Sequence, residues 1–179
     1  NIAERISANK QIGLLGINIG PNKDTKDRSK DYVECLKTFH EFADYITINI
    51  SSPNTDQLRN FHDHDKLNNL LNIINSEKKK LNSNIPIVVK VSPDIKDQEI
   101  SRISDVLLSN GIAAVILSNS SDSTRDKLND IQKHQKGGLS GKPIEEKSTK
   151  LINKFYKILG DKIKIIGVGG VDSGISAYN

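Results

Sequence analysis

The chain has 179 residues, enough for one ordinary domain with a real core but short of the ~250 residues of a complete (β/α)8 barrel. Its net charge of +4 comes from 26 basic and 22 acidic residues, 21 of the former being Lys and only 5 Arg, which alternate with Asp and Glu along helix faces. That pattern is a solvated surface, so no nucleic-acid partner is expected. A single cysteine, Cys35, excludes an intrachain disulfide, and no apolar run approaches the ~18 residues of a membrane span.

In chain order, Leu14 to Ile19 reads as a strand, and residues 27–42 carry Tyr32, Val33, Leu36 and Phe39 at helical spacing. Cys35 lies in that helix, and a small buried hydrophobe is its expected role. Tyr45 to Ser51 is the second strand: Ile46, Ile48 and Ile50 fall on one face and Thr47, Asn49 and Ser51 on the other. Pro53 ends it, having no N–H to donate. From Asp65, read as the N-cap, to Leu81 the positions Leu67, Leu70, Leu71 and Ile74 mark one helix face. Lys78, Lys79 and Lys80 close it, where cations favour the dipole.

Ile85 to Val91 is a third strand, apolar enough to be covered by helices. A helix over Asp97–Ser109 follows, with Gly111 as its stop, then a fourth strand over Ala113–Leu117. Residues 120–136 are polar and without period, and read as a long loop. Pro143 suits the first turn of a helix running to Leu159, which Gly160 ends, and Ile163 to Val168 is the fifth strand. Strands alternating with crossover helices imply a parallel sheet. A doubly wound sheet and a barrel both fit that order.

Several residues could carry chemistry. Ser51, Ser52, Asn54 and Thr55 cluster at the end of the second strand, where α/β barrels keep their active sites; the same residue types also shape ordinary turns. Lys90 shares a strand face with Val88, so it either points into the barrel and needs a partner or snorkels to solvent. Asn18, Asn49, Asn54 and Asn119 end or follow strands and offer amide donors and acceptors. The glycines of 137–141 and 167–170 permit close backbone approach to a phosphate, or simply turn the chain. No Walker A pattern and no metal-ligand spacing is present, so no metal is expected. His62 and His64 read as two exposed loop histidines.

The segment Asn49-Ile50-Ser51-Ser52-Pro53-Asn54-Thr55, with Leu58-Arg59 after it, resembles the active-site segment of class 2 (quinone-linked) dihydroorotate dehydrogenases. Three more segments match in order: Gly16-Ile17-Asn18-Ile19-Gly20 with Asn22-Lys23, Gly137-Gly138-Leu139-Ser140-Gly141-Lys142-Pro143, and Ile165 to Val171. Lys90 and Asn119 stand at the strand ends the family requires.

The resemblance implies a (β/α)8 TIM barrel of which this chain holds about strands three to seven. Residues 1–179 are then an incomplete FMN-binding barrel domain, and the absence of Met and the start at Asn1 lead us to expect an internal piece of a longer protein. It implies oxidation of dihydroorotate to orotate in pyrimidine biosynthesis, with Ser52 taking a proton from C5 while hydride leaves C6 for FMN. Thr55 would hold a water in the proton's path. Asn49, Ser52, Asn54, Asn119 and Ser120 would bind substrate, and Asn18, Asn49, Lys90, Ser118, Gly141 and Gly170 would bind FMN. Serine rather than cysteine at position 52 points to quinone as electron acceptor. A quinone site would lie in an N-terminal region outside this sequence. Peripheral association of the full-length protein with a bacterial inner membrane, or with the mitochondrial inner membrane in a eukaryote, follows from the same resemblance. The competing readings are another FMN barrel, such as a class 1 homologue or a dihydrouridine synthase, and a non-catalytic remnant of the family.

Overall fold

A computed structural model describes residues 2–9, 12–52, 58–123, 125–126 and 128–178. Five parallel strands, β1 (Gly16–Ile19), β2 (Tyr45–Asn49), β3 (Ile87–Val91), β4 (Ala114–Leu117) and β5 (Lys164–Gly167), form one sheet in the order β1-β2-β3-β4-β5. Between them run α2 (Arg28–Phe39), α3 (His64–Lys80), α4 (Asp97–Ser109) and α5 (Glu145–Leu159), while short helices α1 (Ile2–Ala8) and α6 (Gly174–Tyr178) stand at either end.

The strand order settles what periodicity left open. A doubly wound sheet reverses its order at a switch point, whereas here each strand neighbours the next. Crossovers of constant hand then place every helix on the same side of the sheet. Successive helices α2 to α5 pack against one another as an outer layer. The result is an arc of a singly wound barrel.

Parallel register sorts the side chains into two faces. Ile19, Ile48, Val89, Val115 and Ile165 lie in register on the helix side. They join Leu36, Leu70, Leu71, Ile103, Leu107 and Phe155 in one core between sheet and helices. The other face holds two register rows: Asn18, Thr47, Val88, Ala114 and Lys164, then Asn49, Lys90, Ile116 and Ile166. This concave face opens at its β5 end, where Ile166 is 39% and Val168 41% exposed.

Polar ties lock the outer layer. Glu77 of α3 reaches Lys80 at 3.0 Å and Lys37 of α2 at 3.7 Å. Asn110 donates to Asn68 at 2.9 Å and accepts from Asn75 at 3.0 Å, knitting α3 to the end of α4. Some of the abundant asparagine is therefore structural.

Three sequence expectations shift. The N-cap of α3 is Asp63, whose carboxylate accepts from the Lys66 amide, and not Asp65. Cys35 is only partly buried, at the margin of the core. Pro143 occupies a short 3₁₀ turn, Lys142–Ile144, that feeds α5 rather than the α-helix itself. Gly160 ends α5 at φ +52° as expected.

Phe155 is fully buried where α5 meets the sheet. Phe155→Ala should cost about 3–5 kcal/mol of stability, read as a lower denaturant midpoint at unchanged slope.

Candidate active site

Because all five strands run the same way, their carboxyl ends share one rim, and the candidate residues collect there. Asn49 is the last residue of β2; its backbone carbonyl accepts from the Tyr32 hydroxyl of α2 at 2.6 Å. Its side-chain oxygen accepts from the Ser51 amide at 3.1 Å and the Ser51 hydroxyl at 2.6 Å. Asn119, two residues past β4, donates to the same hydroxyl at 2.8 Å and accepts from the Ser120 amide at 2.8 Å. Asn49, Ser51 and Asn119 thus form one hydrogen-bonded chain across the concave rim, from residues 68 apart in sequence at its far end.

Lys90 sits beside Asn49 in the register of β2 and β3. Among the described residues no hydrogen bond or ion pair holds its ammonium, and burial lowers its pKa. Asn18 lies one row deeper, paired with Thr47. Ser118 is fully buried, its amide bonded to the Val168 carbonyl at 2.7 Å and its hydroxyl to the Asn119 carbonyl at 3.3 Å. Ser52 is half-buried immediately beyond Ser51. Asn54 and Thr55 lie outside the described residues.

The two glycine clusters converge on the start of α5. Ser121 and Leu139 pair as an antiparallel bridge, folding the long loop back beside Asn119 and Ser120. Arg125 organises that loop by donating to the carbonyls of Lys133, Gln135 and Gly137. The chain then turns at Gly141 into the 3₁₀ turn and α5. Gly170, at φ +84°, lies so close to α5 that a Cβ there would stand 2.7 Å from the Glu145 amide nitrogen. Only glycine allows this approach, and it brings the end of β5 against the amino-terminal end of a helix, which favours anions.

A buried carboxylate binds these segments together, and the sequence reading missed it. Asp94, after β3, accepts from Ser121 at 2.6 Å, Ser123 at 2.7 Å, the Asp122 amide at 3.1 Å, Arg59 at 3.1 Å, and Lys147 of α5. Burial alone would raise its pKa; the hydrogen bonds from Lys147, Ser121 and Ser123 outweigh that and hold the carboxyl well below its usual range. The signal that could have found it is Asp94 just after a strand end, an acid placed where a barrel keeps its rim, but no local pattern pairs it with residues as distant as Arg59 and Lys147.

His62 corrects another expectation. His64 is indeed exposed, against Asp65, but His62 is 5% exposed, in the turn Leu58–His62. Burial, and then the nearby Arg59 charge, push its pKa down to about 4.

A family model for dihydroorotate dehydrogenase matches residues 2–179. Dihydroorotate dehydrogenase (quinone) of Idiomarina loihiensis is 42% identical over 98% of this chain and 54% of its own length. The Wigglesworthia glossinidia brevipalpis protein of that name is 44% identical over 99% and 55%. Among solved structures, ligand-free DHODH from Eimeria tenella superposes with a TM-score of 0.91 at 34% identity, over 98% of this chain and 55% of that one. The same organism's DHODH in complex with ferulenol gives 0.88 at 35% identity, over 92% and 49%. The chain spans about half the length of the curated relatives it matches.

Two tests follow from the buried charges. His62 is neutral in the fold, whereas in the unfolded chain it binds a proton below its ordinary value of 6.5. Between that value and about 4 the unfolded state holds more protons, so stability falls as pH falls, by ~3 kcal/mol across the whole window. Denaturant melts should show this loss in the parent and a flatter profile in His62→Gln. Asp94→Ala leaves Arg59 and Lys147 without their shared partner and should cost about 3–5 kcal/mol by the same measurement.

Proposed function

The chain belongs to the dihydroorotate dehydrogenase family, and from that premise we propose that it is the central part of a quinone-linked enzyme that oxidises dihydroorotate to orotate. The observation that carries the reading is the Asn49–Ser51–Asn119 hydrogen-bond chain, set at one barrel rim beside a lysine without a charge partner among the described residues.

The residues fit FMN. Lys90 is an inward cation whose charge an anionic ring edge would offset. Gly141 and Gly170 flank the start of α5, where a phosphate would meet backbone amides and the positive end of the helix. Asn18, Asn49 and Ser118 would complete the hold on the cofactor. When bound, FMN supplies the hydride acceptor that no protein side chain can provide.

The protein's own share is binding, orientation and proton movement. Asn49, Asn119 and Ser120, with Asn54, would hold the substrate's carbonyl, ring N–H and carboxylate groups. Ser52 Oγ would take the C5 proton, and Thr55 would hold a water that carries the proton away. A serine hydroxyl is a weak base, so its surroundings must favour the transfer. Ser52 follows directly on the fully buried Ser51, which fixes the backbone that presents it. Closure of the segment after β2 would exclude water from the reacting centre. Quinone reduction, and with it peripheral attachment to a membrane, is proposed from the names of the relatives. No helix among the described residues is long and apolar enough to cross a membrane.

An anaerobic absorbance titration of the purified chain, first with FMN and then with dihydroorotate, tests the reading. Bound flavin should bleach on adding dihydroorotate, and Ser52→Ala should slow the bleaching by about 10²–10⁴-fold while flavin stays bound. Flavin that binds but never bleaches would overturn the activity for this chain. Failure to bind flavin would remove the cofactor site as well.

A further inference from the structure

Ser51 is fully buried at the rim, and the functional reading gives it no contact with substrate or cofactor. Its hydroxyl stands between two amides on different strands' ends: it donates to Asn49 Oδ1 at 2.6 Å and accepts from Asn119 Nδ2 at 2.8 Å.

An asparagine amide can be turned over with almost no change of shape, so some group must decide which end meets the mouth. Two backbone amides make that decision here. Ser51 N–H donates to Asn49 Oδ1 at 3.1 Å, and Ser120 N–H donates to Asn119 Oδ1 at 2.8 Å. A backbone N–H can only donate, so both oxygens are committed. Asn119 must then turn its nitrogen to Ser51, and the Ser51 hydroxyl, having accepted there, is free to donate onward to Asn49. The direction of every hydrogen bond in the chain follows. Asn49 Oδ1 has both acceptor positions filled, and what Asn49 keeps is its Nδ2, which has no partner among the described residues.

We infer that Ser51 is a positioning residue: by bridging Asn49 and Asn119 it holds the Asn49 amide with its N–H groups unspent, so this part of the rim takes a ligand edge made of acceptors, such as carbonyl or carboxylate oxygens. The ligand half of this inference rests on the dihydroorotate reading; the bridging half does not. Without the hydroxyl, Asn119 Nδ2 loses its acceptor and Asn49 Oδ1 keeps one donor of two. Each amide is then held by one backbone N–H alone, and the position of both side chains at the rim loosens.

The test uses the whole chain, labelled with ¹⁵N, as parent, Ser51→Ala and Ser51→Thr, with Ser51→Cys in reserve if the threonine methyl does not fit the buried site. Side-chain amide signals of Asn49 and Asn119 are followed in all variants without ligand. In Ser51→Ala, exchange of the Asn119 side-chain amide should quicken by about ten-fold and both amide pairs should shift; the conservative variant should restore both. Orotate is then titrated into FMN-loaded protein, where Ser51→Ala should weaken binding about ten-fold or more and the conservative variant should recover most of it. Unchanged amide signals in Ser51→Ala would overturn the inference whether or not orotate binds. Changed signals with unchanged orotate affinity would overturn its ligand half. Changed signals in a protein that binds no orotate at all would uphold the bridge and sink the dihydroorotate reading instead.

Discussion

Everything at the rim depends on one constraint: parallel neighbours cannot be joined by a tight turn. Each strand must be followed by a crossover long enough to return the chain to its starting edge, and the hand of that crossover is constant. With the strands in sequential order, all four long helices fall on one side and every strand's carboxyl end on one rim. Residues as distant as Asn49 and Asn119 then meet on a shared hydroxyl, at 2.6 and 2.8 Å, without any local signal to bring them together.

The two faces of the sheet divide the work. The helix side is an apolar core, built from Ile46, Ile48, Val89 and Val115 against Leu70, Leu107 and Phe155. The concave side tolerates Asn49 and Ser51 because the hydrogen bonds of the rim satisfy them. Lys90 is the exception: among the described residues its ammonium has no partner, and burial lowers its pKa.

Asp94 shows the same economy in a different place. One buried carboxylate gathers Arg59 from the segment after β2, Ser121 and Ser123 from the loop after β4, and Lys147 from α5. Each of those segments leads to a part of the candidate site, so one carboxylate ties the turn Leu58–His62 to the start of α5. His62 lies within the same region and stays neutral, its burial and the Arg59 charge both opposing a proton.

Much of this was legible in the sequence. The five strands and four long helices follow from periodicity, because a residue's face is set by its own neighbours three, four or two positions away. Ser52, Lys90 and the asparagines stood out because their types contrast with the apolar strands that carry them. The barrel was not readable from periodicity, since the pattern of each strand is the same in a doubly wound sheet; only pairing order distinguishes the two, and pairing is a relation between distant segments. The Asp94 network, the burial of His62 and the bridging role of Ser51 belong to tertiary structure for that reason. The sequence by itself determined which residues line each face of each strand; the tertiary structure decided which of them touch, because Ser51 and Asn119, 68 residues apart, come within 2.8 Å of one another only when the parallel strands set their ends on one rim.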